Sequence, residues 1–299
     1  MSEYRPPLAD LAFTLDAIVG AGALKSSGAF PDYDDDLREA VLGEAARLAA
    51  EVIAPLNRGG DKQGARLENG VVRSAQGFAD AYRAFAEGGW AGVTAEPQHG
   101  GQGLPMTIGV AVEEFWQAAN MAFGLCPLLT HGAIEAISAH GTDEQKRVYL
   151  PKLVSGAWTG TMNLTEPGAG SDVGALKSRA VRTGDGAYRV TGQKIFITWG
   201  DHDVAENIVH LVLARLPDAP PGTRGISLFL VPKFLPDAQG NPGVRNDLAV
   251  GRLEHKLGIH ASPTCTMSFG DNGGATAFLI GQENRGLAAM FTMMNSARL

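Results

Sequence analysis

The residues best suited to chemistry lie in one short stretch, 162–174, which reads M-N-L-T-E-P-G-A-G-S-D-V-G. Pro167 fixes one φ angle, whereas the glycines that follow it allow positive φ values that turn backbone N–H groups outward. The hydroxyls of Thr165 and Ser171 flank this break. Such a loop can surround a planar polar ligand or a pyrophosphate with hydrogen-bond donors. A surface turn between two strands is the alternative that these residues leave open.

Other groups of reactive side chains do not form a recognisable site. Glu113 and Glu114 are adjacent in a helical pattern, and adjacent helical side chains point about 100° apart, so the two carboxylates cannot share a proton. The histidines show no metal-ligand spacing with Cys, Asp or Glu. We therefore predict no metal site, and we find neither a Ser–His–Asp arrangement nor a phosphate-loop lysine motif.

Four motifs, in order along the chain, resemble the acyl-CoA dehydrogenase family. T-E-P-G-A-G-S-D at 165–172 is similar to its signature loop, and G-Q-K-I-F-I-T at 192–198 to its second flavin-contact strand, where Trp is commoner than Phe196. E-H-K-L-G-I-H-A-S-P-T at 254–264 resembles its lysine–glycine segment, and 286–298 resembles the first helix of its C-terminal domain. The two ends of the chain, at 4–8 and 290–295, resemble a longer subgroup that includes the 3-methylmercaptopropionyl-CoA dehydrogenases.

The resemblance implies FAD as the cofactor. The family's flavin-contacting positions correspond here to Met162, Leu164, Thr165, Gly170, Ser171, Phe196, Ile197 and Thr198. It places Thr165 at the pyrimidine side of the ring and Thr198 near N5, where hydrogen-bond donors favour hydride arrival and stabilise the anionic reduced ring. Phe196 would offer its face to the isoalloxazine. Each assignment has an alternative. The threonines would instead be ordinary strand residues, and Phe196 would instead be an aromatic of the barrel core.

The same resemblance implies an acyl-CoA thioester as the substrate. Ser171 corresponds to the serine that touches the pyrophosphate or the pantetheine, and Arg298 to the residue that meets the nucleotide end of CoA, with Asn295 one turn earlier on the same helix face. An arginine suits phosphate because its planar fork makes bidentate, charge-assisted bonds. Two alternatives remain open. Ser171 is a turn or N-cap residue, and Arg298 is a solvated cation at a helix end.

The implied reaction is oxidation of the acyl-CoA to the trans-2-enoyl-CoA, with electrons passed to an electron-transferring flavoprotein. The family's base is a glutamate of the C-terminal helical domain, and no glutamate here occupies a matching position. We therefore assign no catalytic residue, and we expect Glu166 to be structural or solvent-facing. We expect an incomplete chain, inactive alone, from a homodimer or homotetramer. An acyl-CoA oxidase, a flavin monooxygenase and a non-catalytic binding or assembly module remain as alternatives.

Three segments would position these residues. We predict an all-α N-terminal domain at 1–156, a small antiparallel β-barrel or sandwich at 157–281, and the first helix of a truncated C-terminal helical domain at 282–299. Periodicity and capping residues predict helices at 34–54, 78–87, 107–122, 131–139 and 143–150. Period-two patterns predict strands at 157–164, 188–191, 194–198, 208–214, 226–231, 264–269 and 276–280, with Gly192 and Gln193 forming a hairpin turn between the second and third.

Composition excludes several classes of protein. A chain of 299 residues with 44% hydrophobic and 19% charged residues is typical of a globular protein with more than one domain. No apolar run approaches the roughly 18 residues of a membrane span, and the N-terminus lacks the pattern of a signal peptide. Two cysteines exclude a disulfide framework and favour a reducing cytoplasm. The net charge of −7 argues against nucleic acid as a partner.

Overall fold

The computed structural model describes residues 4–298, apart from the side chain of Lys25, so residues 1–3 and 299 of the predicted segments lie outside it. A helical part is followed by a β-barrel and one last helix, which confirms the predicted fold class. The helices are α1 Leu8–Phe13, α2 Gly22–Ser26, α3 Asp35–Leu48, α4 Leu56–Gln63, α5 Phe78–Glu87, α6 Met106–His140, α7 Asp143–Val154 and α8 Gly286–Ser296. Two π-helical segments, Thr14–Val19 and Ala49–Ile53, extend α1 and α3.

Local sequence signals account for most helix ends. The carboxylate of Asp34 accepts a hydrogen bond of 2.7 Å from the backbone N–H of Leu37 and so caps α3. Thr142 forms a reciprocal capping box with Gln145 at the start of α7. The predicted end of this helix at residue 150 was wrong, because α7 continues through Pro151 to Val154. The buried side chains that follow the proline offset the backbone hydrogen bond that it cannot make.

Helix α6 is broken at Asn120 and not between residues 122 and 131 as predicted. Asn120 has φ −163° and ψ 90°, and its Oδ1 accepts a hydrogen bond of 3.3 Å from the N–H of Phe123. It therefore caps the second half of the helix. Residues 123–130 are helical because Phe123, Cys126 and Leu129 are buried in the core.

Helix α6 is also the one helix of the described residues that is long and apolar enough to cross a membrane by length and composition. The sequence prediction that no segment approaches a span was therefore too strict. In the structure, 61% of the most apolar part of α6 is buried inside the molecule, as is typical of a core helix.

The strands form two short hairpins and one eight-stranded sheet. They are β1 Arg66–Glu68, β2 Val71–Arg73, β3 Trp158–Asn163, β4 Arg179–Arg182, β5 Tyr188–Thr198, β6 Asn207–Arg215, β7 Ile226–Pro232, β8 Phe234–Pro236, β9 Pro242–Arg245, β10 Leu248–Leu253, β11 Thr264–Phe269 and β12 Ala275–Ile280. The sheet runs β10-β11-β5-β12-β7-β6-β3, and β4 pairs with both β5 and β6. The ring β5-β12-β7-β6-β4 is thereby closed into a barrel, and β3 and β11 extend it. The pairing of β3 with β6 is parallel, which corrects the expectation of a wholly antiparallel barrel.

Strand β5 is continuous, so the predicted hairpin turn at Gly192 and Gln193 was wrong. Gly192 has φ +144°, and a Cβ there would lie 2.3 Å from Oγ of Ser178. The glycine is needed because the segment before β4 crosses the strand at this point. The crossing brings Lys177 and Ser178 close to the loop that follows β3.

The docking of α8 on the barrel gives a first testable expectation. A Cβ on Gly286 would lie 2.2 Å from the backbone of Leu228 in β7, so Gly286→Ala must push the helix off the sheet. We expect a loss of about 2–3 kcal/mol in the free energy of unfolding, measured by urea denaturation. Gly43→Ala in α3 is the control, because a Cβ there meets nothing within 4 Å. Equal stability of the two variants would contradict this account of the docking.

Candidate functional site

The loop after β3 is held against the far half of β5. The carbonyl of Thr165 accepts a hydrogen bond of 2.9 Å from the N–H of Ile195. The ammonium of Lys194 donates a hydrogen bond of 3.0 Å to the carbonyl of Leu164. These two bonds bring two of the predicted motifs together, so Thr165 lies beside the strand that carries Phe196 and Thr198.

A buried ion pair anchors this loop. Nζ of Lys194, which is fully buried, lies 2.8 Å from Oε1 of Glu166, which is 6% exposed. The same carboxylate accepts hydrogen bonds from the N–H groups of Lys177, at 2.6 Å, and Ser178, at 3.1 Å. Glu166 is therefore structural and not solvent-facing, and its oxygens are engaged in bonds that fix the loop.

Burial and pairing act in opposite directions on the two charges. Burial alone would raise the pKa of Glu166, but the Lys194 ammonium and the hydrogen bonds to the carboxylate hold that pKa below its usual value. Burial lowers the pKa of Lys194 to about 8, although Glu166 favours the charged form. The pair is stable only while both partners are present.

The end of β5 turns Phe196 outward. Ile197 pairs with Cys265, and Lys194 with Met267, so three steps along β5 match two along β11. This is a β-bulge with one extra residue on β5. Phe196 has φ +60° within it, and its side chain is 58% exposed. Its ring therefore lies outside the barrel core, contrary to the alternative that it fills that core.

The other predicted flavin positions differ in what they expose. Thr165 and Thr198 are half-buried, and neither hydroxyl has a partner among the hydrogen bonds of the described residues. Ile197 is 2% exposed and its side chain points into the barrel, so it could contact a ligand only through its backbone. Met162 and Leu164 are half-buried beside the cluster between the barrel and α6. Gly170 and Ser171 are exposed in the loop.

The two residues proposed for the CoA nucleotide lie at the end of α8. Asn295 is exposed in the last turn, and Arg298 is exposed beyond the helix end at Ser296, where its N–H donates to the carbonyl of Asn295 at 3.2 Å. Within residues 4–298, no hydrogen bond joins either side chain to the loop at 165–172. Their role in binding CoA stays a prediction.

The described residues fit a flavin ring. Phe196 is an exposed aromatic at a strained bulge, on a strand that also carries the half-buried Thr198 and lies beside the half-buried Thr165, so it offers an apolar face near polar groups. Cβ atoms on Gly168 and Gly170 would meet nothing within 4 Å, so the loop backbone is open to a polar group such as a pyrophosphate. The described residues contain no group of three or more His, Cys, Asp or Glu side chains that could hold a metal ion.

Sequence reasoning missed two residues of this region. Lys194 lies inside a motif that was read only for its aromatic and threonine, and its distance from Glu166 along the chain hid the ion pair. Trp199 follows that motif directly and has its indole buried in the helical core. The period-two alternation of β5, which puts Lys194 on the same face as Tyr188 and Val190, was the available signal for the first; the second depends on tertiary contacts.

Comparison with known proteins identifies the class. Residues 35–157 match the N-terminal domain of acyl-CoA dehydrogenases, and residues 161–272 match their middle domain. The chain therefore belongs to the acyl-CoA dehydrogenase family, as the sequence motifs predicted. This family is FAD-dependent. The domain limits after residues 156 and 281 remain predictions.

Among curated proteins, the chain is similar to 3-methylmercaptopropionyl-CoA dehydrogenase of Ruegeria pomeroyi, with 50% identity over 99% of this chain and 50% of that protein. The chain spans about half the length of the curated relatives it matches. The fold resembles butyryl-CoA dehydrogenase of Megasphaera elsdenii, with a TM-score of 0.72 and 23% identity over 89% of this chain and 64% of that one. It also resembles a Bacillus anthracis acyl-CoA dehydrogenase complexed with FAD, with a TM-score of 0.70 and 22% identity over 90% and 41% of the chains.

Proposed function

We propose that this chain forms the FAD-contacting part of an acyl-CoA dehydrogenase that oxidises an acyl-CoA thioester to the trans-2-enoyl-CoA. The observation that carries the proposal is the pair of hydrogen bonds that holds the loop after β3 against β5. Thr165 lies beside the strand end that carries the outward-facing Phe196, and the hydroxyls of Thr165 and Thr198 have no hydrogen-bond partner among the described residues. Membership of the family and the fit of these residues to a planar ring support the same function.

FAD, when bound, supplies the acceptor for the hydride that leaves the β carbon of the substrate. The residues of this chain would then bind and orient it. Thr165 would lie at the pyrimidine side and Thr198 near N5, where donated hydrogen bonds favour reduction of the ring. Phe196 would cover one face and exclude water from it. Backbone donors of Gly170 and Ser171 would hold the pyrophosphate or the pantetheine.

Removal of the acidified α proton requires a base in reach of the substrate. Glu166 does not meet this requirement, because its carboxylate is buried and bonded to Lys194, Lys177 and Ser178. Among the described residues we assign the base to no other side chain. We propose that the base comes from a part of the active enzyme outside these residues, and that this chain is inactive alone.

The remaining parts of the proposal follow from the family. Short acyl-CoA thioesters, including the methylthio and butyryl substrates after which the relatives are named, are the proposed substrate class. The proposed electron acceptor is an electron-transferring flavoprotein, and the proposed setting is a homo-oligomer in the cytoplasm. Asn295 and Arg298 are proposed contacts for the CoA nucleotide.

The test is the visible spectrum of the purified chain with FAD, recorded anaerobically before and after addition of butyryl-CoA and 3-methylmercaptopropionyl-CoA. We expect a bound flavin that does not bleach with this chain alone. Bleaching would show that a base is present and would overturn our assignment. A chain that binds no FAD would leave only the alternative of a non-catalytic module. In an active preparation, oxygen uptake during turnover would identify an oxidase. A flavin that acyl-CoA does not bleach in such a preparation would identify a monooxygenase.

A further inference from the structure

Trp199 connects the ligand-facing end of β5 to the helical part of the molecule. It is the residue directly after the strand, yet its side chain is 1% exposed and belongs to the core cluster of the N-terminal helices. Its Nε1 donates a hydrogen bond of 3.0 Å to the carbonyl of Ala122, in the first turn after the break in α6. The indole stacks on Phe78 of α5, with ring centroids 6.4 Å apart and planes at 26°.

The backbone at this point is strained. Trp199 has φ +51°, three residues after Phe196 with φ +60°. The left-handed region is costly for any residue with a Cβ, so such residues persist only where their surroundings hold them. The N–H of Trp199 donates to the carbonyl of Pro263 at 2.7 Å, and His202 lies edge-on against the indole at 5.4 Å. Contacts from both domains therefore hold this residue.

The position of Phe196 depends on this anchor. The bulge leaves Phe196 without support from the barrel core, and Thr198 adjoins Trp199 along the chain. A free strand end would relax toward ordinary φ values and rotate both side chains away from their common surface. We propose that Trp199 is a positioning residue for the flavin, which holds Phe196 and Thr198 in place by anchoring the end of β5 in the helical core. This inference rests on the proposed function.

The experiment compares Trp199→Phe, Trp199→Gly and the control Trp116→Phe. Trp199→Phe keeps a ring against Phe78 but loses the hydrogen bond to Ala122, and Trp199→Gly also removes the strain. Trp116 is 3% exposed and packs edge-on against Phe85 and Trp90 within the helices, so its variant alters an aromatic cluster of the helical core. The dissociation constant for FAD is measured by quenching of flavin fluorescence, below the melting temperature of every variant. Hydrogen exchange of the peptide covering 194–200 is measured without FAD.

We expect an increase in the dissociation constant of about tenfold for Trp199→Phe and more for Trp199→Gly, with no change for Trp116→Phe. Exchange at 194–200 should be faster in the two Trp199 variants alone. A merely structural tryptophan would lower the melting temperature and leave both readouts at the parent values, which would overturn the inference. If the parent binds no FAD, the proposed function fails, and unchanged exchange in the Trp199 variants would separately refute the anchoring role.

Discussion

The Glu166→Ala variant should lose about 3 kcal/mol in its free energy of unfolding, since removal of one partner from a buried ion pair leaves the other charge uncompensated. The ammonium of Lys194 would keep only the carbonyl of Leu164 as a partner while remaining fully buried. The N–H groups of Lys177 and Ser178 would also lose their acceptor. Because the same bonds hold the loop against β5, we also expect weaker binding of FAD.

The double variant Glu166→Gln, Lys194→Met should recover much of this loss. It replaces two charges by neutral side chains of similar size, and the amide oxygen of Gln can still accept from one of the two N–H groups, which donate to different oxygens of the carboxylate. Urea denaturation of the parent, Glu166→Gln, Lys194→Met and the double variant gives the coupling energy of the pair.

The surface pair Arg147–Glu144 provides the matched control. Its atoms are 2.5 Å apart, closer than those of the buried pair, but its side chains are 70% and 69% exposed. Solvent screens such pairs, and we expect no measurable loss in Glu144→Ala. If Glu144→Ala and Glu166→Ala were equally stable, distance and not burial would decide the effect, and our account of the loop anchor would be wrong.

The fold class was predictable because the periodicities are long and their ends are marked. Helix α5 begins and ends where the pattern at 78–87 predicts, and β11 coincides with the pattern at 264–269. Failures occurred where tertiary contacts override local signals. Gly192 resembles a turn residue in the sequence, but the structure uses it for the crossing of Ser178. Strands β8 and β9 are short and contain prolines, which are weak strand signals.

The site was predictable as motifs but not as a surface. Strict alternation from Tyr188, Val190 and Lys194, all buried, would place Phe196 inside the barrel. The extra residue of the bulge reverses the alternation, so Ile197 points inward and Phe196 outward. Glycine is the usual residue at such a φ angle, but this position holds Phe196, so no local pattern marks the bulge. The bond from Trp199 to Ala122 spans 77 residues and has no local signal at all.

Acid should unfold this protein because two histidines, His202 and His210, are buried as neutral groups. Oγ1 of Thr159 lies 2.8 Å from Nε2 of His202, and Nδ1 of His202 accepts from the N–H of Val204, so protonation would set a new N–H against an existing donor. His210 lies 2.7 Å from Thr161 through its Nδ1. Burial, with the charge of Lys233 nearby, lowers the pKa of both histidines to about 3.

The direction of the pH dependence follows from these values. The unfolded chain takes up protons on its histidines near pH 6.5, whereas His202 and His210 resist protonation until about pH 3 in the folded state. The unfolded state therefore binds more protons throughout this window, and stability falls as the pH falls from 6.5 toward 3. Each histidine costs about 1.4 kcal/mol per pH unit, so the pair alone removes about 4 kcal/mol by pH 5.

We expect cooperative unfolding to begin below about pH 5, since a domain is stable by only about 5–15 kcal/mol. His210→Asn removes one of the two titrations. Its stability relative to the parent, followed by urea denaturation at several pH values, should improve by about 1.4 kcal/mol for each pH unit below 6.5. A constant difference between His210→Asn and the parent at every pH would mean that the buried histidine does not resist protonation, and the cause of acid unfolding would then lie elsewhere.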